Sequence, residues 1–364
     1  MKYLFFLGHP AHFHLFKNTI QHLKDNGSEV TILIKKKDIL EELLEKAGLQ
    51  YINTLPDGRK DGMIGIIKGV IRKEKELYRY CKHNRPDLMA GTSAEISHVG
   101  KLFGIPSINF SEDDYPLIRS FGLATYPFTD TIMSPVTCDN GRWKNKTVFY
   151  HGFHKLAYLH PLRFKPDNEI ARRYVSNEKP YYLIRFAKLS AYHDSGIRGI
   201  SDRLASELIN KLKKYGNVYI TSERDLPDEL EEYRLKINVL DIHHVLAYAD
   251  LLIGDSQSMS VEAAMLGTPA IGFSDFSGKI GVLKELEKKY GLVFGIRPDQ
   301  PEQLLSKVDD LLATNDLRKI FAGRRDAMLG DKIDVTGFFI WFFENYPESR
   351  DIMKRDSDYQ FRFK

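Results

Sequence analysis

Short apolar runs alternate with amphipathic segments along this chain of 364 residues, and that alternation limits the fold more than any other feature. "KYLFFLG" and "SEVTILIK" read as buried strands, while "HLFKNTIQHLKDNG" and "KDILEELLEKAG" read as helices stopped by Gly27 and Gly48. "LQYINT", a long basic helix over about 64–83, "DLMAG", a helix over about 94–103 and "IPSINF" continue the series. Strands separated by helices are joined by right-handed crossovers, which gives a parallel, doubly wound sheet.

Residues 111–163 are rich in Pro, Gly, His and aromatic side chains and show no sustained period, as active-site loops and a connection between domains would. The alternation then restarts with "PYYLIRFA", a helix over 199–215, "NVYIT", "IHHVLAYA", "DLLIG", a helix over 258–266 and "TPAIGF". The length also exceeds what one core serves. Two α/β domains are therefore expected, over 1–163 and 164–346, with 347–364 a polar tail lacking regular structure. "TGFFIWFFENY" is apolar nearly all round and must be buried, between domains, back against the first one, or at a bilayer interface.

A formal charge of +4 suits an anionic ligand or an acidic membrane surface and falls short of a nucleic-acid signature. Cys81 and Cys138 are too few for a disulfide framework or a cysteine-based zinc site, in keeping with a reducing cytoplasm. The opening "YLFFL" is broken by Gly8-His9-Pro10 before it reaches the length of an export signal, and no stretch approaches a membrane span. A cytoplasmic protein, at most peripheral at the inner face of the membrane, is expected.

The stretch most specific to a chemistry is "ADLLIGDSQSMSVEAAMLGTPAIGF", residues 249–273. A strand ends at Gly254, the turn Asp255-Ser256-Gln257-Ser258 follows, and a helix opens with amides that have no partner inside it. Such an opening attracts anions through its amides and its dipole. Glu262 lies four residues beyond Ser258, on the same helix face, where it can accept hydrogen bonds from a ribose whose phosphates sit on the turn. The plainer reading is a helix cap at Asp255 or Ser256 with Glu262 solvated.

The series from "INVLDIHHVLAYADLLIG" through "DSQSMSVEAAMLGTPAI" resembles the donor-binding half of GT-B glycosyltransferases and of the UDP-N-acetylglucosamine 2-epimerases of the same superfamily. "GHPAHFHLFKNTIQHLKDNGSEV" and "HGFHKLAYLHPLRFKPD" are similar to domain of unknown function 354, a family of predicted glycosyltransferases. The resemblance implies two Rossmann-like domains facing a central cleft. It also implies a diphosphate on the Asp255–Ser258 turn and a ribose on Glu262.

Loops at the carboxyl ends of parallel strands bind ligands in such folds. If "YLFFL" is the first strand, Gly8 to Phe13 form such a loop. His9 and Gly8 then face a ligand, His12 is placed for acid-base work near neutral pH, and His14 packs or caps. Three histidines without a neighbouring carboxylate or cysteine do not make a metal site, so no metal is expected. "NFSEDDYP" places Glu112, Asp113 and Asp114 at another strand end, where mutual repulsion can raise one carboxyl far enough for proton transfer. By resemblance, that position carries a catalytic glutamate in the epimerases. Their H-x-E-A-G-x-R pattern is absent, which counts against epimerisation. His193, in "RFAKLSAYHDSGIRG", matches the place of an epimerase histidine, although the arginine and glutamate of that motif are missing; Arg185 or Lys188 would offset diphosphate charge.

These features together point to a glycosyltransferase using a nucleotide-diphosphate sugar, UDP-linked by resemblance, to build a cell-envelope or capsular glycan. A nucleotide-sugar epimerase or hydrolase is the alternative, and a sugar-nucleotide sensor or scaffold is the non-catalytic one. No cofactor beyond the nucleotide-sugar substrate is expected. The partners are that donor and a glycan or lipid-linked acceptor, with no nucleic acid; peripheral membrane contact through the basic helix and a homodimer stay open.

Overall fold

The computed structural model describes residues 1–37, 39–56, 63–176, 178–187 and 199–364. Along the chain the elements are β1 (Lys2–Leu7), α1 (Pro10–Asp25), β2 (Glu29–Ile34), α2 (Leu40–Lys46), β3 (Ile52–Asn53), α3 (Met63–Asn84), β4 (Leu88–Gly91), α4 (Ala94–Phe103), β5 (Ser107–Phe110), α5 (Arg119–Thr125), β6 (Thr131–Pro135), β7 (Thr147–Tyr150) and α6 (Leu156–Leu159). Then come α7 (Asn168–Ala171), β8 (Tyr181–Phe186), α8 (Asp202–Leu212), β9 (Asn217–Ser222), α9 (Asp228–Glu231), α10 (Ile242–Tyr248), β10 (Leu251–Gly254), α11 (Gln257–Leu266), β11 (Ala270–Phe273), α12 (Gly281–Lys288), β12 (Val293–Ile296), α13 (Pro301–Leu312) and α14 (Leu317–Asp331). α15 (Val335–Glu344) and α16 (Glu348–Arg355) follow.

The chain divides into two compact units, Met1–Arg163 with Lys332–Lys364, and Phe164–Asp331. Residues 332–346, which the sequence places in the second domain, therefore fold with the first.

In the first unit seven parallel strands lie in the order β3-β2-β1-β4-β5-β6-β7. The winding direction reverses between β1 and β4, which makes that junction the natural ligand crevice of such a sheet. The strands approach so closely there that a Cβ on Gly91 would stand 2.6 Å from the Phe6 carbonyl oxygen.

Side chains alternate across the pleat. Leu4 and Phe6 face a core with Leu77, Cys81, Ile96 and Val99 of α3 and α4. Phe5 faces the opposite way and meets Phe343 of α15 at 5.3 Å between centroids; Phe110 of β5 meets Phe339 at 5.0 Å. The apolar helix of the sequence is thus an interior element of the first unit.

Residues 347–364 correct the expectation of an irregular tail. They form α16 and a 3-10 helix over Ser357–Phe363, because their side chains have partners. Tyr359 stacks on Trp341 at 4.7 Å, and the buried Gln360 accepts the His151 N–H at 2.6 Å.

The second unit has five parallel strands in the order β12-β11-β10-β8-β9, with its reversal between β8 and β10. Its outer strand β9 is covered by residues 233–235: the Ile220 N–H donates to Tyr233 O, and the Leu235 N–H donates to Ile220 O, both at 2.7 Å. That bridge covers the middle of the edge strand, at Ile220. Among the described residues, no helix is long and apolar enough to cross a membrane.

Candidate functional site

In the first unit a cluster of polar side chains gathers at the carboxyl ends of β1, β2, β4, β5 and the segment after β7. Only Gly8 and His9 separate β1 from α1. Pro10 opens the helix, a position where its missing N–H costs nothing, and His9 caps it, its Nδ1 accepting the Ala11 N–H at 3.1 Å. The expected Gly8–Phe13 loop is therefore shorter, and His12 and His14 stand on α1. His14 is buried against the rings of Phe13 and Tyr158, both at 5.0 Å, as a packing residue.

His12 bridges the β1–β4 crevice. The Gly8 N–H donates to its Nδ1 at 3.1 Å, and Thr92 Oγ1 lies between the two ring nitrogens, 2.9 Å from Nδ1 and 2.8 Å from Nε2. Because Nδ1 accepts, the neutral ring carries its proton on Nε2 and donates it to Thr92. Burial lowers the His12 pKa well below 6.5, and His9, Lys35, His154 and Lys155 lower it further. The imidazole is thus unprotonated at neutral pH. Lys35 follows β2, and its Cε would stand 3.2 Å from a Cβ on Gly8, so glycine there lets the lysine lie across the strand end.

Glu112 follows β5 and is committed to neighbours. Its Oε1 accepts the His154 N–H at 2.5 Å, and its Oε2 accepts from the Lys155 ammonium at 2.6 Å. Burial works to raise its carboxyl, but Lys155, His154 and their hydrogen bonds outweigh it and hold the group below 4.5. Of the three carboxylates, one of which mutual repulsion is expected to raise, Glu112 is lowered instead, because the nearest charge is a cation. Burial lowers His154 to about 4, so that ring is neutral as well.

Asp113 is exposed. Asp114 accepts the Asp139 N–H at 2.7 Å, joining two loops. Thr92, Lys35 and Lys155 are not singled out by sequence reasoning. Thr92 sits in an unmarked "AGTSAE" and reaches His12 only because β1 and β4 are neighbours.

In the second unit the turn after β10 splits into two jobs. Asp255 is buried, and its carboxylate accepts the N–H groups of Ala187 at 2.6 Å and Ile200 at 3.2 Å. Burial raises its carboxyl above 3.8 against those two hydrogen bonds and the Arg224 and Arg185 guanidiniums. The expected ligand role for Asp255 gives way to a backbone clamp, since both oxygens already hold amides.

Ser256 caps α11, its Oγ accepting the Met259 N–H at 3.4 Å. The amides of Gln257 and Ser258 then open the helix without partners inside it, and both residues are half-buried. Gly267 ends the helix at φ 77°, a left-handed backbone that favours glycine.

One turn in, Glu262 Oε1 lies 3.5 Å from Nε2 of the buried His243 on α10. Glu262 is therefore a mostly buried carboxylate rather than a solvated one. Arg185, near the end of β8, pairs with Glu223. His193 and Lys188 lie outside the described residues. A concavity beside the turn is lined by Gly254, Ser256, Gln257, Ser260, Ser274 and Ser277; the last two, after β11, are further residues that sequence reasoning passed over, although "GFSDFSG" at a strand end was the available signal. Among the described residues no three His, Cys, Asp or Glu side chains converge as metal ligands.

Two parallel-sheet units with open helix starts at their switch points define an α/β protein of the GT-B fold. Solved structures agree. The glycotransferase of kitacinnamycin is 13% identical, with a TM-score of 0.61 over 94% of this chain and 98% of that one. The Methanocaldococcus jannaschii UDP-GlcNAc 2-epimerase in complex with UDP-GlcNAc and UDP is 13% identical, at 0.63 over 86% and 94%. The spinosyn rhamnosyltransferase complexed with thymidine diphosphate is 14% identical, at 0.61 over 95% and 100%. No curated protein matches the sequence. The chain belongs to the family described as Protein of unknown function (DUF354), whose family model matches residues 4–286.

Proposed function

We propose that the protein is a glycosyltransferase that takes a sugar from a nucleotide diphosphate, with UDP as the nucleotide, and moves it to a glycan or lipid-linked acceptor of the cell envelope. The observation that carries this reading is Glu262, mostly buried and facing His243 at 3.5 Å, one turn inside a helix whose first amides open at the switch point of a parallel sheet. The UDP and thymidine diphosphate bound by two structures of the same fold support a nucleotide diphosphate here.

On this reading the amides of Gln257 and Ser258 and the Ser258 hydroxyl take the diphosphate. They stabilise it electrostatically as it leaves, without a metal. Glu262 accepts from the ribose hydroxyls, with His243 beside its carboxylate. His12, neutral and held by Thr92, takes the acceptor proton at Nδ1 once the acceptor hydroxyl displaces the Gly8 N–H from that lone pair. Glu112 and Lys155 form the rigid wall beside it.

Calorimetric titration of UDP into the wild type, Ser258→Ala and Glu262→Ala tests the nucleotide site. Loss of a charge-assisted hydrogen bond is expected to weaken UDP binding about tenfold or more in Glu262→Ala, with a smaller loss in Ser258→Ala; equal affinity in all three proteins removes the assignment. For the acid-base role, His12→Asn is expected to lower kcat by about two to four orders of magnitude with UDP affinity unchanged. Deuterium entering sugar C2 in heavy water without acceptor would instead mark an epimerase.

A further inference from the structure

The chain as a whole is nearly charge-balanced, with 53 Lys and Arg against 49 Asp and Glu, yet α3 separates its charges by direction. At about 100° per residue, Tyr78, Ile71, Lys82, Lys75, Arg79 and Arg72 fall within an arc of roughly 120°, and all six are exposed. Leu77 and Cys81 point the other way, into the core. Neither nearby acid enters the arc: Glu74 turns to His98, with Oε1 at 2.5 Å from Nδ1, and Glu76 flanks the arc and pairs with Arg79 at 2.8 Å. A merely solvated helix face mixes both signs. This one does not.

The face continues onto α4. The Arg85 guanidinium donates to Phe103 O at 3.3 Å, and Tyr78 packs on Phe103 at 5.1 Å between centroids. These contacts bring the end of α4, with the exposed Leu102, beside the end of α3. Ile71 is 56% exposed and Leu102 69%, so two large apolar side chains stand among the cations.

We propose that this face docks on an anionic lipid bilayer. The cations match acidic headgroups. Ile71, Tyr78 and Leu102 reach the boundary between headgroups and acyl chains, where an apolar tip is favoured and the aliphatic stems of lysine and arginine can lie along it. A soluble polyanion would satisfy the cations alone and leave those apolar groups in water, so the bilayer accounts for both halves of the surface. This inference does not depend on the reaction proposed above.

Co-sedimentation of the full chain with vesicles tests it, using phosphatidylcholine alone and mixtures containing about one-third phosphatidylglycerol at about 0.1 M salt. At about fivefold per cation, Lys75→Gln with Lys82→Gln is expected to weaken binding to the anionic vesicles at least tenfold. Ile71→Ser with Leu102→Ser is expected to weaken it severalfold while leaving retention on immobilised heparin unchanged. All four positions are exposed, so both variants should keep the wild-type melting temperature, which is measured alongside. Failure to bind anionic vesicles, equal binding to neutral ones, or binding unaffected by the cation pair would overturn the proposal. So would vesicle binding untouched by the apolar pair, which would identify a surface for soluble polyanions.

Discussion

Replacing Lys155 with methionine is expected to lower the melting temperature by about 10 °C at neutral pH. The substitution keeps most of the side-chain volume and removes the ammonium 2.6 Å from Glu112 Oε2. A buried ion left without its partner costs about 3–5 kcal/mol, and each kcal/mol moves the transition of a unit this size by about 2–4 °C. The pH dependence identifies the cause. In the wild type the folded Glu112 carboxyl lies below 4.5, so its contribution is present above that value and is lost as pH falls through the lower, folded one. Without Lys155, burial dominates and the folded carboxyl rises, so the variant loses less on acidification. Melting curves from about pH 7 to pH 4 should therefore converge. Adding Glu112→Gln, which keeps an acceptor for the His154 N–H, should recover much of the loss; a constant gap at every pH would show that volume, not charge, was responsible.

The second large effect is expected at Asp255. Alanine there leaves the half-buried amide of Ala187 and the buried amide of Ile200 without acceptors, at up to about 1–3 kcal/mol each, so the second unit should lose about 2–6 kcal/mol in denaturant titration. Asparagine presents one oxygen where the carboxylate presents two and should lose roughly half as much. Hydrogen exchange localises the effect: protection at the Ala187 and Ile200 amides should fall before that of β10 and β8. Gly199 belongs to the same device, because a Cβ there would stand 2.9 Å from Asp255 Cγ. A nucleotide-binding role for the carboxylate would instead show as lost UDP affinity with unchanged stability.

Much of the architecture was legible because burial on both faces writes parallel strands as continuous apolar runs, and glycines mark where the helices between them stop. The start of α1 was misread by a few residues. Histidine is an uncommon cap, and "GHPAHF" lacks the Ser, Thr, Asp or Asn that usually announces one. The site was legible one strand end at a time. Glu112 and "HGFHK" both stand out, but nothing local says that 43 positions separate partners in an ion pair; that follows only from the order β5-β6-β7. Asp255 shows the converse difficulty. An aspartate before a helix reads as a cap or an anion-site residue, and only the return of Ala187 and Ile200 to the end of β10 reveals its two amides. The last residues are polar by composition and ordered by particular partners such as Trp341 and His151, which composition cannot express.

The first unit is closed by α15, whose Phe339 and Phe343 cover Phe5 and Phe110, although the whole second unit is encoded in between. A ribosome thus releases the wall of aromatic rings on β1 and β5 long before it makes the helix that shields them. During synthesis the second unit can finish folding while the first still waits with a sticky surface uncovered. Assembly of this chain is consequently not sequential from its N-terminus, and cells making it in quantity have reason to shelter that half-built sheet until residue 343 has emerged.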